Sequence, residues 1–402
     1  MRILFCNYEY PPIGGGGGVV NALLAQELAK RHDVTVLTSQ GLNLPPERVD
    51  AGVRVVCAPV FFRKQQAVAN LFSMLAFLPM GVRTGKRLFK AGWYDIINTH
   101  FVLPTGPVGD SLARFADVPN VLSLHGGDLY DPSKWLSPHR HVYLRSWVRR
   151  LLRRADVIVG QSRNTLENMR RFYTPEIQGV QIPLGIRRPQ AGAALRSHYG
   201  CHESDVLLVT VGRLVARKGL PQLITVMTAL RGAKVRLLIV GIGPQEQLLK
   251  EEVNRRHLAQ QILFLGYVEE AEKFRILQMC DLYVSTSQHE GFGLVFLEAM
   301  ACGLPIVCYN RGGQTDFLCD GETGCLIPLN DMNLFKERCA ALNGDPELRR
   351  AMGNHNKHLV EEYCIDNCAT KYGKLFHEAI KLKIFSQNIY YQQKIKRPLI
   401  RI

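Results

Sequence analysis

The 402-residue sequence has no apolar stretch of bilayer-spanning length. Its longest apolar run lies within residues 61–90, is roughly 16 residues long and contains Pro79, whereas a span needs about 20. No cleavable leader is expected, because Met1-Arg2 leads directly into the apolar segment RILFCN. There is no low-complexity tract, which sets aside fibrous and disordered classes. The eleven cysteines are odd in number and scattered. None shows the close double spacing of a zinc site, and Cys364 and Cys368 stand alone, so free thiols in a reducing cytosol are expected. The glycine run at residues 14–18 is not followed by GK[ST], so it is not a Walker loop.

What is present begins with charge. The formal net charge is +15, and it is unevenly placed. Residues 1–180 hold 22 basic and 13 acidic side chains, residues 181–380 hold 22 of each, and residues 381–402 hold six basic and no acidic ones. An excess confined to the first half and the tail implies an anionic partner, a phosphate-bearing lipid or membrane surface, over a surface charged only for solubility. Nucleic acid is disfavoured, because no basic strand face carries interleaved aromatics and no reader motif occurs. Two segments concentrate the cations. Residues 139–155 read HRHVYLRSWVRRLLRRA, and residues 61–90 set an apolar run between Arg63-Lys64 and Arg83, Lys86, Arg87 and Lys90. Each reads as a basic amphipathic helix on anionic lipid or as a core-packing helix with a charged outer face.

Length alone predicts two domains of about 200 residues. Short apolar segments at 2–7, 33–39, 53–59, 94–100, 118–125 and 156–162 alternate with helical periods, among them 19–31. Residues 183–204 are rich in Pro, Gly and Arg and read as a linker. A second series follows, with strands at 206–212, 235–241, 262–266, 282–286 and 305–309 and helices near 219–230, 244–257, 271–279 and 294–302. Alternation of this kind predicts parallel sheets covered on both faces. The expected fold is therefore α/β, two doubly wound domains in tandem: 1–184 and 185–380, with a final helix and tail near 366–402 packing back on the first. Ligands of such sheets bind beyond the carboxyl ends of the strands, which points to a cleft between the domains.

The chemistry-bearing segments fall at those strand ends. EGFGLVFLE (290–298) places Gly291 and Gly293 between two carboxylates, Glu290 on a turn and Glu298 on the helix that follows. A glycine turn feeding a helix leaves N–H groups unpaired, and these and the helix dipole favour an anionic or oxygen-rich ligand. Arg213 and Lys218, in VGRLVARKGL, flank another turn before a helix and suit a diphosphate. Gly243, Gly266, Tyr267 and the RGGQTDF turn at 311–317 lie at equivalent positions. In the first half, Gly14–Gly18 lie between a strand and a helix. HGGDLYD puts His125 and Asp128 at another strand end.

Taken together, the glycine loop, HGGD, GRLVARKG, the Gly266 turn and EGFGLVFLEAMACGLPIV occur in the order found in retaining glycosyltransferases of family 4, which the chain resembles over nearly its whole length. The resemblance implies the GT-B fold, two Rossmann-like domains facing across a cleft. It implies a nucleotide-sugar donor bound mainly by the second domain. Arg213 and Lys218 would bind the diphosphate, Glu298 the ribose, and Glu290 with Gly291, Phe292 and Gly293 the sugar hydroxyls. Leu294 and Val295 would approach phosphate and ribose through their backbone, and the Gly266–Val268 turn, with Tyr267, would lie near the base. Gly15, Gly16, Gly17 and Gly243 would also border the donor, and Gly14 and Asp128 the acceptor. His125 would face the transferred sugar. The family needs no metal and no separate cofactor, and no DxD cluster stands at a fitting place, so cations and helix dipole would stabilise the leaving diphosphate. Attack from the donor's front face is preferred over a covalent Glu290 intermediate.

The expected partners are the nucleotide-sugar, a lipid-linked or surface-polysaccharide acceptor, as in lipopolysaccharide assembly, and an anionic membrane surface. The expected location is cytoplasmic, on the inner face of the membrane. The run of five glycines is longer than the family's usual one or two. Competing readings are a nucleotide-sugar epimerase of the same architecture and a basic anion- or nucleic-acid-binding protein without catalysis.

Overall fold

A computed structural model describes residues 1–61, 71–132, 134–232 and 234–395, with side chains to residue 385. The chain divides into two compact units, Met1–Gly185 joined by the segment from Ile365 onward, and Ile186–Cys364.

The first unit runs β1 (Arg2–Cys6), α1 (Gly16–Ala29), β2 (Asp33–Ser39), β3 (Glu47–Asp50), β4 (Val53–Ala58), α2 (Leu71–Ala91), β5 (Ile96–His100), α3 (Gly106–Ala116), β6 (Asn120–Leu124), α4 (Val142–Arg154), β7 (Val157–Gly160), α5 (Arg163–Phe172) and β8 (Val180–Gln181). Its sheet order is β3-β4-β2-β1-β5-β6-β7-β8, parallel except for β3 against β4. The central strands are buried along their length, as an apolar run without alternation requires. Helices α2 and α3 pack closely because Gly81 and Gly85 face α3. A Cβ on Gly85 would lie 2.3 Å from Leu112 Cδ1.

The second unit runs β9 (Val206–Val211), α6 (Leu220–Ala229), β10 (Val235–Val240), α7 (Glu246–Arg255), β11 (Ile262–Gly266), α8 (Glu270–Met279), β12 (Leu282–Ser285), α9 (Leu294–Ala301), β13 (Ile306–Tyr309), β14 (Gly324–Ile327), α10 (Met332–Gly344) and α11 (Pro346–Leu359). Its six strands are all parallel, in the order β11-β10-β9-β12-β13-β14. Order reverses at β9 and β12, so the loops after these strands diverge and leave a concave edge between them. The chain then returns to the first unit as α12 (Ile365–Ile395). Ile365, Tyr372 and Phe376 join Ile3, Leu24 and Val34 in one core.

Two expectations change. The helix after the glycine run begins at Gly16, not Val19, so only Gly14 and Gly15 precede it. Residues 186–204 belong to the second unit, with a single 3-10 turn at Arg196–Tyr199. Arg63, Lys64 and residues 396–402 lie outside the described residues. No helix among the described residues is long and apolar enough to cross a membrane.

The three tryptophans, Trp93, Trp135 and Trp147, all lie in the first unit, so their fluorescence reports on it alone. Phe376 is fully buried there. Phe376→Ala is expected to lower the stability read by tryptophan fluorescence in urea by about 3–5 kcal/mol. An unshifted transition would mean that α12 contributes nothing to this core.

Candidate active site

In the second unit the strand ends form a glycine shelf. Gly212 N–H donates to Val240 O at 2.9 Å and Gly241 N–H to Gly266 O at 2.7 Å. A Cβ on Gly241 would lie 2.1 Å from Gly212 O, and one on Gly243 2.4 Å from Leu214 O. Close backbone approach requires glycine at Gly241 and Gly243, whereas Gly212 and Gly266 hold positive φ of 148° and 67°.

On this shelf the loop after β9 meets the turn before α9. Lys218 Nζ donates to Glu290 Oε1 at 2.6 Å, and Arg217 Nη1 stands 3.6 Å from Glu290 Oε2. Glu290 is buried, and burial works against its charge. Lys218, Arg217 and a hydrogen bond from Ser287 outweigh this and hold the carboxyl below its ordinary value. Arg213 is exposed beside the pair and lines the same small pocket with Lys218 and Ser287. Its guanidinium makes no hydrogen bond or ion pair among the described residues.

Gly293, at a left-handed φ of 92°, precedes α9, and no side chain caps that helix. Leu294 and Val295 thus present first-turn N–H groups beside Glu290. The turn is braced from behind by the RGG segment: Gly313 N–H donates to Glu290 O at 2.9 Å, and a Cβ on Gly313 would lie 2.1 Å from Gly291 O. Phe292 is buried against Phe317, 5.3 Å between ring centroids, so only its backbone faces the site. Gly266 has left-handed φ and open space around it, and Tyr267 is exposed. Val268 is half-buried.

Glu298 has a different partner. Lys273 Nζ donates to its Oε1 at 2.7 Å, while its buried Oε2 accepts no hydrogen bond among the described residues. Burial raises the Glu298 carboxyl despite Lys273. The two carboxylates of the motif are therefore unequal, Glu290 pushed down and Glu298 up.

In the first unit His125 follows β6. Its Nε2 lies 3.0 Å from His100 Nδ1, and its ring stacks on Phe101 with centroids 4.2 Å apart. Burial lowers the imidazole to about 3, so it is neutral near pH 7. Asp128 accepts from the backbone N–H of His125 at 3.0 Å and of Val102 at 2.8 Å, and burial raises it to about 6. Its Oδ1 closes the HGGD turn and its Oδ2 ties that turn to the segment after β5, rather than facing outward. Phe101 also reaches the glycine run, where a Cβ on Gly17 would lie 2.4 Å from its Cζ. Gly15 and Gly16 face open space at the uncapped start of α1. Gly15 N–H donates to Glu9 Oε2 at 3.2 Å, and Glu9 also fills the space beside Gly14.

Arg217, Lys273, His100 and Phe101 were not anticipated. His100 carried a usable signal, since it ends β5 as His125 follows β6. Arg217 is adjacent to Lys218, and spacing alone cannot rank the two. Lys273 sits 25 residues from Glu298, so only the fold pairs them. No group of three or more potential metal ligands occurs among the described residues.

Comparison with known proteins fits this arrangement of strand-end motifs. The family described as Glycosyl transferase 4-like domain matches residues 15–185, and that described as Glycosyl transferases group 1 matches residues 194–359. Glycogen synthase of Mycobacterium tuberculosis is 31% identical over 380 residues, covering 86% of this chain and 87% of that protein. The chain belongs to the group 1 glycosyltransferases of the family 4 type. The GDP-mannose-dependent alpha-(1-6)-phosphatidylinositol monomannoside mannosyltransferase of Mycolicibacterium smegmatis is 27% identical, covering 91% of this chain and 94% of that one. Among solved structures, sucrose-phosphate synthase from Thermosynechococcus elongatus superposes with a TM-score of 0.82 at 23% identity, over 95% of this chain and all of that chain. The fold is thus GT-B.

In this glycosyltransferase Glu298 pairs with a single half-buried cation, Lys273. Lys273→Met is expected to cost about 3 kcal/mol at pH 7 by leaving Glu298 without it. The variant's Glu298 pKa rises further above its unfolded value, so its stability falls as pH rises. Urea unfolding at pH 4 should accordingly show a smaller penalty than at pH 7. Equal penalties at both pH values would contradict the pairing.

Proposed function

We propose that this glycosyltransferase moves a sugar from a nucleotide-sugar donor with retention of anomeric configuration and without a metal. The observation that carries this reading is the cluster of Arg213, Lys218 and Glu290 beside the uncapped start of α9. A diphosphate there meets Arg213, Lys218 and the helix N–H groups, which supply fixed positive charge for the leaving group. Lys218 exchanges Glu290 for a phosphate oxygen, and Glu290 turns to sugar hydroxyls. The unfilled Oε2 of Glu298 is available to a ribose hydroxyl. The role of His125 on the transferred sugar rests on the family resemblance.

Front-face attack suits these groups. The acceptor hydroxyl bonds to the anomeric carbon as the bond to the diphosphate oxygen breaks, and its proton passes to that oxygen. Front-face attack asks no covalent bond of Glu290, which on this reading accepts hydrogen bonds from sugar hydroxyls. Arg213→Ala and Glu290→Ala are each expected to lower transfer by about 10²-fold or more, since each removes a charge from the site. Wild-type turnover in both folded variants overturns the assignment. Product NMR should show the donor's anomeric configuration, and EDTA should leave the rate unchanged. Trapping of a glycosyl–Glu290 adduct would replace the front-face step, and donor isomerisation without acceptor would favour an epimerase.

For the acceptor we favour a lipid-linked or surface-polysaccharide saccharide, met at an anionic membrane. Support comes from α2. Its outer face exposes Leu71, Phe72 and Leu75, then Arg83, Arg87 and Lys90. A groove of about 930 Å³ between α2 and α3 sets Arg83, Lys86, Arg87 and Lys90 beside Leu78, Val82 and Phe115, with no acid among its described lining residues. Helix α4 fits this less well, because Val148, Leu151 and Leu152 pack inward while Arg153 and Arg154 pair with Glu176 and Asp110. The named acceptor of the Mycolicibacterium relative, a phosphatidylinositol mannoside, is consistent with such a surface. Flotation with phosphatidylglycerol vesicles is expected to exceed that with phosphatidylcholine, and to fall with salt and in the triple variant Lys86→Ser, Arg87→Ser, Lys90→Ser. Equal flotation with both lipids removes the electrostatic attraction.

A further inference from the structure

His125 is the end of a buried hydrogen-bond series that reaches the last helix. Tyr372 Oη lies 3.1 Å from Ser123 Oγ, Ser123 Oγ 3.0 Å from Asn98 Oδ1, Asn98 Nδ2 2.8 Å from His100 Nε2, and His100 Nδ1 3.0 Å from His125 Nε2. All five residues are buried. They stand on α12, β6 and β5 and at the end of β6, all within the first unit.

Each link fixes the next. The Asn98 carbonyl oxygen can only accept, so the Ser123 hydroxyl proton points at it. Ser123 must then accept from the Tyr372 hydroxyl. The Asn98 amide nitrogen can only donate, so His100 Nε2 is bare. Burial keeps His100 neutral, well below its ordinary value, so its one proton lies on Nδ1 and is donated to His125 Nε2. His125 Nε2 is therefore bare, and the proton of this neutral imidazole sits on Nδ1. That nitrogen makes no hydrogen bond among the described residues. Phe101, stacked on the ring, and Gln161, whose amide donates to His125 O at 2.5 Å, hold the imidazole in place.

We propose that Tyr372, Ser123, Asn98 and His100 are positioning residues that fix His125 as the Nδ1–H tautomer, so that it offers substrate a neutral hydrogen-bond donor. On this arrangement His125 neither accepts the acceptor hydroxyl's proton nor brings a positive charge to the sugar. It donates to a sugar oxygen as charge develops, and no proton leaves it. The use of this donor rests on the transfer reading above, whereas the tautomer does not.

The test is long-range ¹H–¹⁵N NMR of the ligand-free, full-length protein with labelled histidine, at pH 7. The two resonance sets are assigned by their loss in His125→Gln and His100→Phe. The expected spectrum shows both imidazoles protonated at Nδ1 and bare at Nε2. A proton on His125 Nε2, or on both nitrogens, overturns the proposal. Cutting the series with His100→Phe is expected to return His125 to Nε2–H, the form that imidazole favours in water. Donor KM should hardly change, while kcat falls by about 10–100-fold. An unchanged tautomer in the folded variant also overturns it, and if that variant does not fold, the wild-type spectrum alone decides. Inactivity traced to another reaction class would defeat the transfer reading and leave the tautomer standing.

Discussion

The ion pair between Lys218 and Glu290 organises the second unit's site. It joins segments 72 residues apart, the loop after β9 and the turn before α9, at 2.6 Å and largely out of water. Two charges so placed cannot separate without a new partner, because each would be left desolvated and alone. The turn is also closed from behind by the Gly313 hydrogen bond, where only glycine fits. Groups proposed to bind a donor are thereby set before it arrives, which lowers the ordering cost of binding. On the proposed reading, donor binding at this point is an exchange, in which phosphate oxygen replaces carboxylate on Lys218.

Electrostatics then divides the labour in the EGFGLVFLE segment. Glu290 faces two cations and is held ionised. Glu298 faces one, so the effect of burial prevails there, and its Oε2 has no hydrogen-bond partner among the described residues. The same residue type in one motif thus has two characters. In the first unit the opposite device operates: His125 is kept neutral by burial, and its orientation is fixed by neutral hydrogen bonds.

Much of this was legible in the sequence. Eleven apolar segments read as strands correspond to observed strands, because buried parallel strands are short uninterrupted runs bounded by glycine or polar residues. The motif segments fall at strand ends because parallel sheets place their loops there. The strands β3, β8 and β14 escaped notice, being two to four residues long and, in β3, polar. The start of α1 was misplaced because glycine carries no helical signal, yet Gly16–Gly18 form its first turn. Pairings were the least legible. Lys218 with Glu290, Lys273 with Glu298, and His100 with His125 depend on register between strands, which no local pattern records. The α2 segment shows the same limit: its sequence left lipid-facing and core-packing readings open, and only the fold turns Phe77, Gly81, Gly85 and Leu88 inward and sets the glycine contacts with α3.

The Glu9 carboxylate at the start of α1 has a further consequence. It already occupies the Gly15 N–H and fills the space beside Gly14. The positive end of that helix is therefore not vacant before any ligand comes. An incoming anion competes with a carboxylate tethered six residues away, whose effective concentration is high. A ligand with additional attachment points elsewhere competes with Glu9 better than a small free anion does.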